Sequence, residues 1–138
     1  AIIRISSGFG VDLLLLGPRC PDPFSRRILR VSMGTVLKLP VVHSQNMEDD
    51  SDRLARSGVE LAATILDPSA EPLHTARRPN RFALLFGNEG EGLSPDWIAR
   101  AERRITIPMQ NGTDSLNVAV ASGIFLHHFT SPAAFHAK

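Results

Sequence analysis

The chain has 138 residues, enough for one domain with one sizeable core. Apolar residues make up 43% and charged residues 21%, an ordinary globular balance, and no apolar run approaches the ~20 residues of a membrane span. A net charge of +1 excludes a strongly basic nucleic-acid binder, and the start, AIIRISSGFG, lacks the long apolar segment of a secretory leader.

Residues 1–8 read as the tail of a helix stopped by Gly8 and Gly10. The chain opens on Ala1 with no clear cap, so a preceding strand and loop are expected to be missing, as in a fragment or processed form. Val11 to Leu16 is a continuous apolar run, the pattern of a strand buried on both faces. Gly17-Pro18 and Pro21-Asp22-Pro23 mark a loop, and the lone Cys20 can form no internal disulfide, which suits a reducing compartment such as the cytoplasm. A helix over 26–33, capped by Ser25 and stopped by Gly34, precedes a strand from Val36 to Val42 that Pro40 interrupts.

Residues 44–52 are polar and acidic and suit a loop before a helix over 51–58. Val59 to Leu66 is the next strand, 67–80 a proline-containing connector, and Arg81 to Phe86 another strand. Ser94 caps and Pro95 opens a helix through about Ala101. A short strand at Ile105 to Ile107 is followed by a last helix from Ser115 to Phe129 and a frayed tail from Ser131 to Lys138. Strands alternating with helices argue for an α/β fold around a mainly parallel sheet, with no internal repeat and no internal domain boundary.

In the last helix Leu116, Val118, Val120, Ala121, Ile124, Phe125 and Leu126 wrap most of the circumference. A helix apolar nearly all round must be covered nearly all round. This predicts a homodimer with the helix in its interface; the alternative is a helix central to a monomer core.

The chemistry concentrates in two loops, each leaving the end of a strand. FGNEGEGLS carries Gly87, Gly90 and Gly92, a spacing that is neither a Walker loop nor the dinucleotide fingerprint. Its glycines permit close backbone approach, while Glu89 and Glu91 would repel a phosphate. A structural glycine-rich turn is the simpler reading, and a neutral or cationic ligand such as S-adenosylmethionine also fits. The second loop, MQNGTDSLN, offers Gln110, Asn111, Thr113, Asp114, Ser115 and Asn117. Asp114 or Ser115 can serve as a plain helix cap, whereas Asn117, read in the first turn of an apolar helix, would need a hydrogen-bond partner. The five histidines show no metal-ligand spacing, and Trp97 and Phe82 read as core. Arginines cluster at 26, 27 and 30, at 77, 78 and 81, and at 100, 103 and 104, either as phosphate contacts or as solvated surface.

Three segments together resemble the SpoU family of RNA 2′-O-ribose methyltransferases, within the knotted SPOUT superfamily. AIIRISSGFGVD matches the first motif through Arg4 and Phe9-Gly10-Val11-Asp12, although the motif's Asn would precede Ala1. LLFGNEGEGLS (84–94) and ITIPMQNGTDSLNVAVA (105–121) match the second and third, and PDPFSRRILRVSMGTVLKLPV is also similar to the family. The resemblance implies a single SpoU-type domain over 1–138, lacking its first strand and any N-terminal RNA-binding domain. It also implies a C-terminal deep trefoil knot over roughly residues 84–129, dimerisation through the knot and helix 115–129, and methyl transfer from S-adenosylmethionine to a ribose 2′-OH of rRNA or tRNA. Gly87, Ile107 and Leu116 would hold the cofactor through backbone groups, with Asn88, Gly92 and Met109 also in its pocket. Arg4, Glu89, Ser115 and Asn117 would form the catalytic set, with Arg4 activating the hydroxyl or holding the neighbouring phosphate. An RNA base methyltransferase, a non-catalytic knotted RNA-binding or assembly module and a generic nucleotide-binding protein are the other readings.

Overall fold

The computed structural model describes residues 1–17, 39–87, 92–110 and 116–131. The helix expected over 26–33, the first part of the strand expected from Val36 and the tail beyond Ser131 lie outside the described residues. The chain divides into two compact units, Ala1–Arg53 and Leu54–Lys138. The division falls inside a helix, so no proline- or glycine-rich linker marks it.

In the first unit α1 (Ile2–Gly8) starts at Ala1 without a side-chain cap. It ends in a Schellman motif: the Val11 amide donates to the Ser6 carbonyl (3.0 Å) and the Gly10 amide to the Ser7 carbonyl (3.2 Å). Gly10 takes the left-handed conformation this closure needs, at φ +73°. Because the Val11 amide is used there, strand pairing begins later than the apolar run suggests. β1 is Leu14–Leu16 only, parallel to β2 (Val41–His43), with Leu15 opposite Val42. Both strands are at most half-buried, and Leu13 and Val42 are exposed, so this run is not a strand covered on both faces.

The acidic stretch read as a loop is helical: α2 runs Met47–Arg56. Asn46 caps it by accepting from the Asp49 amide at 3.0 Å, and Glu48, Asp49 and Asp50 fill the first turn, where carboxylates complement the helix dipole. Ser44, buried just past β2, donates its hydroxyl to Asp50. A second Schellman closure ends α2, with the Val59 amide donating to Leu54, the Gly58 amide to Ala55, and Gly58 at φ +92°.

The second unit holds a four-stranded, all-parallel sheet in the order β4-β6-β3-β5. Its strands are β3 (Glu60–Thr64), β4 (Glu71–Pro72), β5 (Phe82–Leu85) and β6 (Arg103–Thr106). β4 and the 3-10 turn Leu73–Thr75 lie in the segment read as a plain connector. Two residues are too few for a periodic signal, and Pro72 is tolerated because the strand is at the sheet edge. Besides its backbone pairing with β6, β4 is held by a side chain: Arg103 donates Nε and Nη2 to Glu71 (3.1 and 2.9 Å) and Nη1 to Glu60 (3.3 Å) and to the Arg77 carbonyl (2.9 Å).

α3 (Pro95–Arg100) has Ser94 as its cap and Pro95 in its first turn, as expected. α4 (Val118–Thr130) starts later than expected, with Asn117 as its cap. The core contains Ala62, Leu73, Ala76, Ile105, Phe125 and Phe129, with Phe82, Leu84, Phe86 and Ile107 packed against it. Phe129 meets Phe82 with ring centroids 5.0 Å apart, and Phe125 meets Phe86 edge-on at 5.8 Å. His128 bonds the Ala76 carbonyl at 2.8 Å, fixing the last turn of α4. Phe82 therefore belongs to the core as expected, whereas Trp97 is half-buried, with the Arg100 guanidinium over its ring. On α4, Ser122, Phe125, Leu126 and Phe129 are buried, while Val120 and Ile124, one turn apart, are 52% and 39% exposed. The helix carries Phe125 and Phe129 into the core, while its Val120 and Ile124 stay exposed.

Candidate active site at the carboxyl ends of the parallel strands

After β5 the chain passes through α3 and returns as β6 on the other side of β3. Strand order therefore diverges around β3, and the carboxyl ends of β5 and β6 open to either side of it. A crevice at such a point is where open α/β sheets place ligands. Gly87 stands two residues beyond the end of β5, and Ile107 directly follows β6, with Met109 two residues on. Ile107 is anchored by packing on the core. Met109 and Leu116 are half-buried.

The two described ends of the first loop meet. A side chain at Gly87 would overlap the backbone of Gly92 and Leu93, so these backbones approach as closely as glycine permits. Gly92 is exposed and has φ +69°. The two glycines are thus needed for different reasons, one for space and one for conformation. Thr64, the last residue of β3, donates its hydroxyl to the Leu85 carbonyl at 2.8 Å, and the next amide, Ile65, donates to the Ile105 carbonyl at 3.0 Å. Sequence reasoning missed Thr64; a hydroxyl residue closing an apolar strand was the available signal.

Of the sequence-predicted residues, the structure brings the backbones of Gly87 and Gly92 together and sets Ile107 on the core. Asn88, Glu89 and Ser115 lie outside the described residues. Arg4 is exposed on α1. Asn117 is exposed rather than buried, and its Oδ1 accepts from the Ala119 amide at 2.8 Å. Its hydrogen-bond partner is the helix end itself, which follows from the preference for Asn at caps.

Two open surface hollows of about 360 and 410 Å³ share Glu71 and Arg103. Arg103, Glu60 and Glu71 begin their strands, so this charged end of the sheet is opposite the glycine loop. The hollows surround an ion-pair network rather than the motif residues. That network also removes Arg103 from the basic cluster at 100–104 as a phosphate contact. Arg78 lies over the Phe82 ring at 5.6 Å, and Arg81 donates to the Ser57 carbonyl at 2.6 Å. Asp67 accepts from the Ser69 amide (2.9 Å) and hydroxyl (2.8 Å), and these bonds hold its carboxyl below the ordinary aspartate range. Among the described residues no helix is long and apolar enough to cross a membrane.

The SpoU rRNA Methylase family matches residues 1–127. An uncharacterized tRNA/rRNA methyltransferase of Mycobacterium bovis, Mb0905, is 37% identical over 94% of this chain and 46% of its own length. The 23S rRNA (guanosine(2553)-2′-O)-methyltransferase RlmP of Bacillus subtilis is 32% identical over 92% of this chain and 50% of its own length. The crystal structure of an AdoMet-bound rRNA methyltransferase from Sinorhizobium meliloti superposes with a TM-score of 0.84 at 33% identity, over 93% of this chain and 49% of that one. The chain thus spans about half the length of the relatives it matches.

Proposed function

Since the chain belongs to the SpoU rRNA methylase family, we propose that residues 1–138 are a SpoU-type domain of an RNA 2′-O-ribose methyltransferase. Its cofactor is S-adenosylmethionine and its substrate an rRNA or tRNA. The observation that carries this reading is the placement of the glycine loop and the Ile107–Met109 segment at the carboxyl ends of β5 and β6, on either side of β3. The solved relative from Sinorhizobium meliloti has AdoMet bound, and RlmP is a 2′-O-methyltransferase of 23S rRNA.

The donor set suits this cofactor. A close-packed glycine backbone and apolar Ile107, Met109 and Leu116 offer hydrogen bonds and apolar walls without the cationic lining a phosphate would demand. Gly87, Ile107 and Leu116 would hold it through backbone groups, with Asn88, Gly92 and Met109 completing the pocket. When bound, the cofactor supplies a sulfonium methyl for transfer to the ribose oxygen. A ribose hydroxyl is a poor nucleophile and has to be held in line. Arg4 performs this by clamping the neighbouring phosphate: a guanidinium stays protonated, which makes it a weak base but a strong bidentate phosphate ligand. Glu89, Ser115 and Asn117 supply the remaining polar contacts to the ribose.

The segment 84–129 forms the family's trefoil knot in this reading, and two chains pair through it and α4. The exposed Val120 and Ile124 support that pairing, because an apolar stripe one turn apart on a helix is what a second subunit covers. The cytoplasm, or an organelle with its own rRNA and tRNA, is the setting that fits. The test is calorimetric titration of the purified chain with S-adenosylmethionine and S-adenosylhomocysteine, with its mass in solution recorded alongside. Saturable binding by a dimer is expected; a folded monomer that binds neither compound refutes the reading.

A further inference from the structure

We propose that Thr64 is a positioning residue that sets the two cofactor-binding segments against each other, an inference that rests on the reading of the site above. β3 is the strand between β5 and β6, so its last residue has both walls of the crevice as neighbours. The β3–β5 ladder closes at Ala63 opposite Leu85, and the β3–β6 ladder at Thr64 opposite Ile105. The Ile65 amide closes the second ladder on Ile105, and the Thr64 hydroxyl adds a side-chain bond where the first ladder ends. The Thr64 hydroxyl donates to the Leu85 carbonyl at 2.8 Å, and the Ile65 amide donates to the Ile105 carbonyl at 3.0 Å. Leu85 is two residues before Gly87, and Ile105 two residues before Ile107. The latch is therefore applied at the same short remove from each proposed backbone contact.

The two halves of the latch differ in kind. The bond to β6 is backbone to backbone and would form with any residue at 65. The bond that the Thr64 side chain adds to β5 needs a hydroxyl at 64. That wall also leads into Gly87, whose backbone packs directly against the backbone of Gly92 and Leu93. A ligand recognised through main-chain groups depends on where the main chain is held, and pre-organisation converts directly into affinity.

Thr64→Val keeps the branched shape and removes the donor; Thr64→Ser keeps the donor and removes the methyl. Thr75→Val is the control, since Thr75 donates to the Pro72 carbonyl at 3.1 Å in the 3-10 turn, a bond of the same kind that touches neither wall. Each variant of the 138-residue chain is titrated with S-adenosylhomocysteine by calorimetry, with its melting temperature recorded. Thr64→Val is expected to bind about five- to tenfold more weakly, the range one hydrogen bond commands. Thr64→Ser is expected to bind within about twofold of the parent, as is Thr75→Val, by the same scale. Parent-like binding by Thr64→Val overturns the proposal. So does Thr64→Ser binding as weakly as Thr64→Val, because packing of the methyl would then be responsible. Failure of the parent chain itself to bind, when folded, counts against the cofactor reading and removes the role of Thr64 with it.

Discussion

Replacing Gly87 by alanine adds one methyl group, and the structure makes it expensive. The new Cβ would overlap the Gly92 carbonyl group and the Leu93 nitrogen, which are backbone atoms and cannot swing aside as a side-chain end would. Gly87 is not among the glycines at positive φ, so its requirement is steric and not conformational. Overpacking in a closed site costs about 1–3 kcal/mol, and a clash with backbone alone belongs at the upper limit, about 3 kcal/mol. For a chain of this size that is a fall in melting temperature of about 10 °C. Gly92→Ala is the informative comparison. Nothing lies within 4 Å of a Cβ there, but its φ of +69° costs a side chain about 1–2 kcal/mol, or about 3–6 °C. Scanning calorimetry gives the melting temperatures, and S-adenosylhomocysteine titration reports the site. Gly87→Ala is expected to lose at least about tenfold in affinity, because the loop must open to admit the methyl. Gly87→Ala melting within about 2 °C of the parent, or Gly92→Ala proving the more damaging, would refute the argument that close backbone approach governs this loop.

Arg103→Met strands Glu60 and Glu71 and releases β4, and is expected to cost about 1–2 kcal/mol in urea unfolding after allowance for solvent screening. Glu71→Gln should be more harmful than Glu60→Gln, since Glu71 takes two guanidinium nitrogens and Glu60 one. Val120→Asp combined with Ile124→Asp should convert a dimer to a monomer in sedimentation while the chain keeps its folded circular-dichroism spectrum, because both side chains are exposed within their own chain; a persisting dimer places the interface elsewhere. The Asp67 carboxyl should titrate below the ordinary aspartate value by NMR, and Ser69→Ala should raise it by removing the hydroxyl bond. With a folded pKa below the unfolded one, this group's contribution to stability is present above the unfolded pKa and is lost as pH falls through the folded one.

Features that arise within a few residues of chain were legible in the sequence. Gly10 and Gly58 close their helices in left-handed conformations, and Ser94-Pro95 opens α3, because capping depends on local backbone geometry. The parallel α/β character followed from alternating patterns, and the two motif loops were located by their own residues. The acidic residues that open α2 serve equally in a loop and in a first helical turn, and the Asn46 cap decides between them. Asn117 was placed inside the helix it in fact caps.

What the tertiary structure alone decided is the set of relations between residues distant along the chain. β4 pairs with β6, and Arg103, 32 residues away from Glu71, adds a side-chain clamp on it. The exposed side of α4 became distinguishable from its buried side only once Phe125 and Phe129 had docked on β5 and Ile105, since an all-round apolar helix has no preferred face of its own. Thr64 acquires its partner only through the order β6-β3-β5, which sets the ends of strands 21 residues apart side by side. Local backbone energetics are written residue by residue and can be read that way. Pairing between strands is chosen by the burial of the whole sheet, and no short window of sequence contains it.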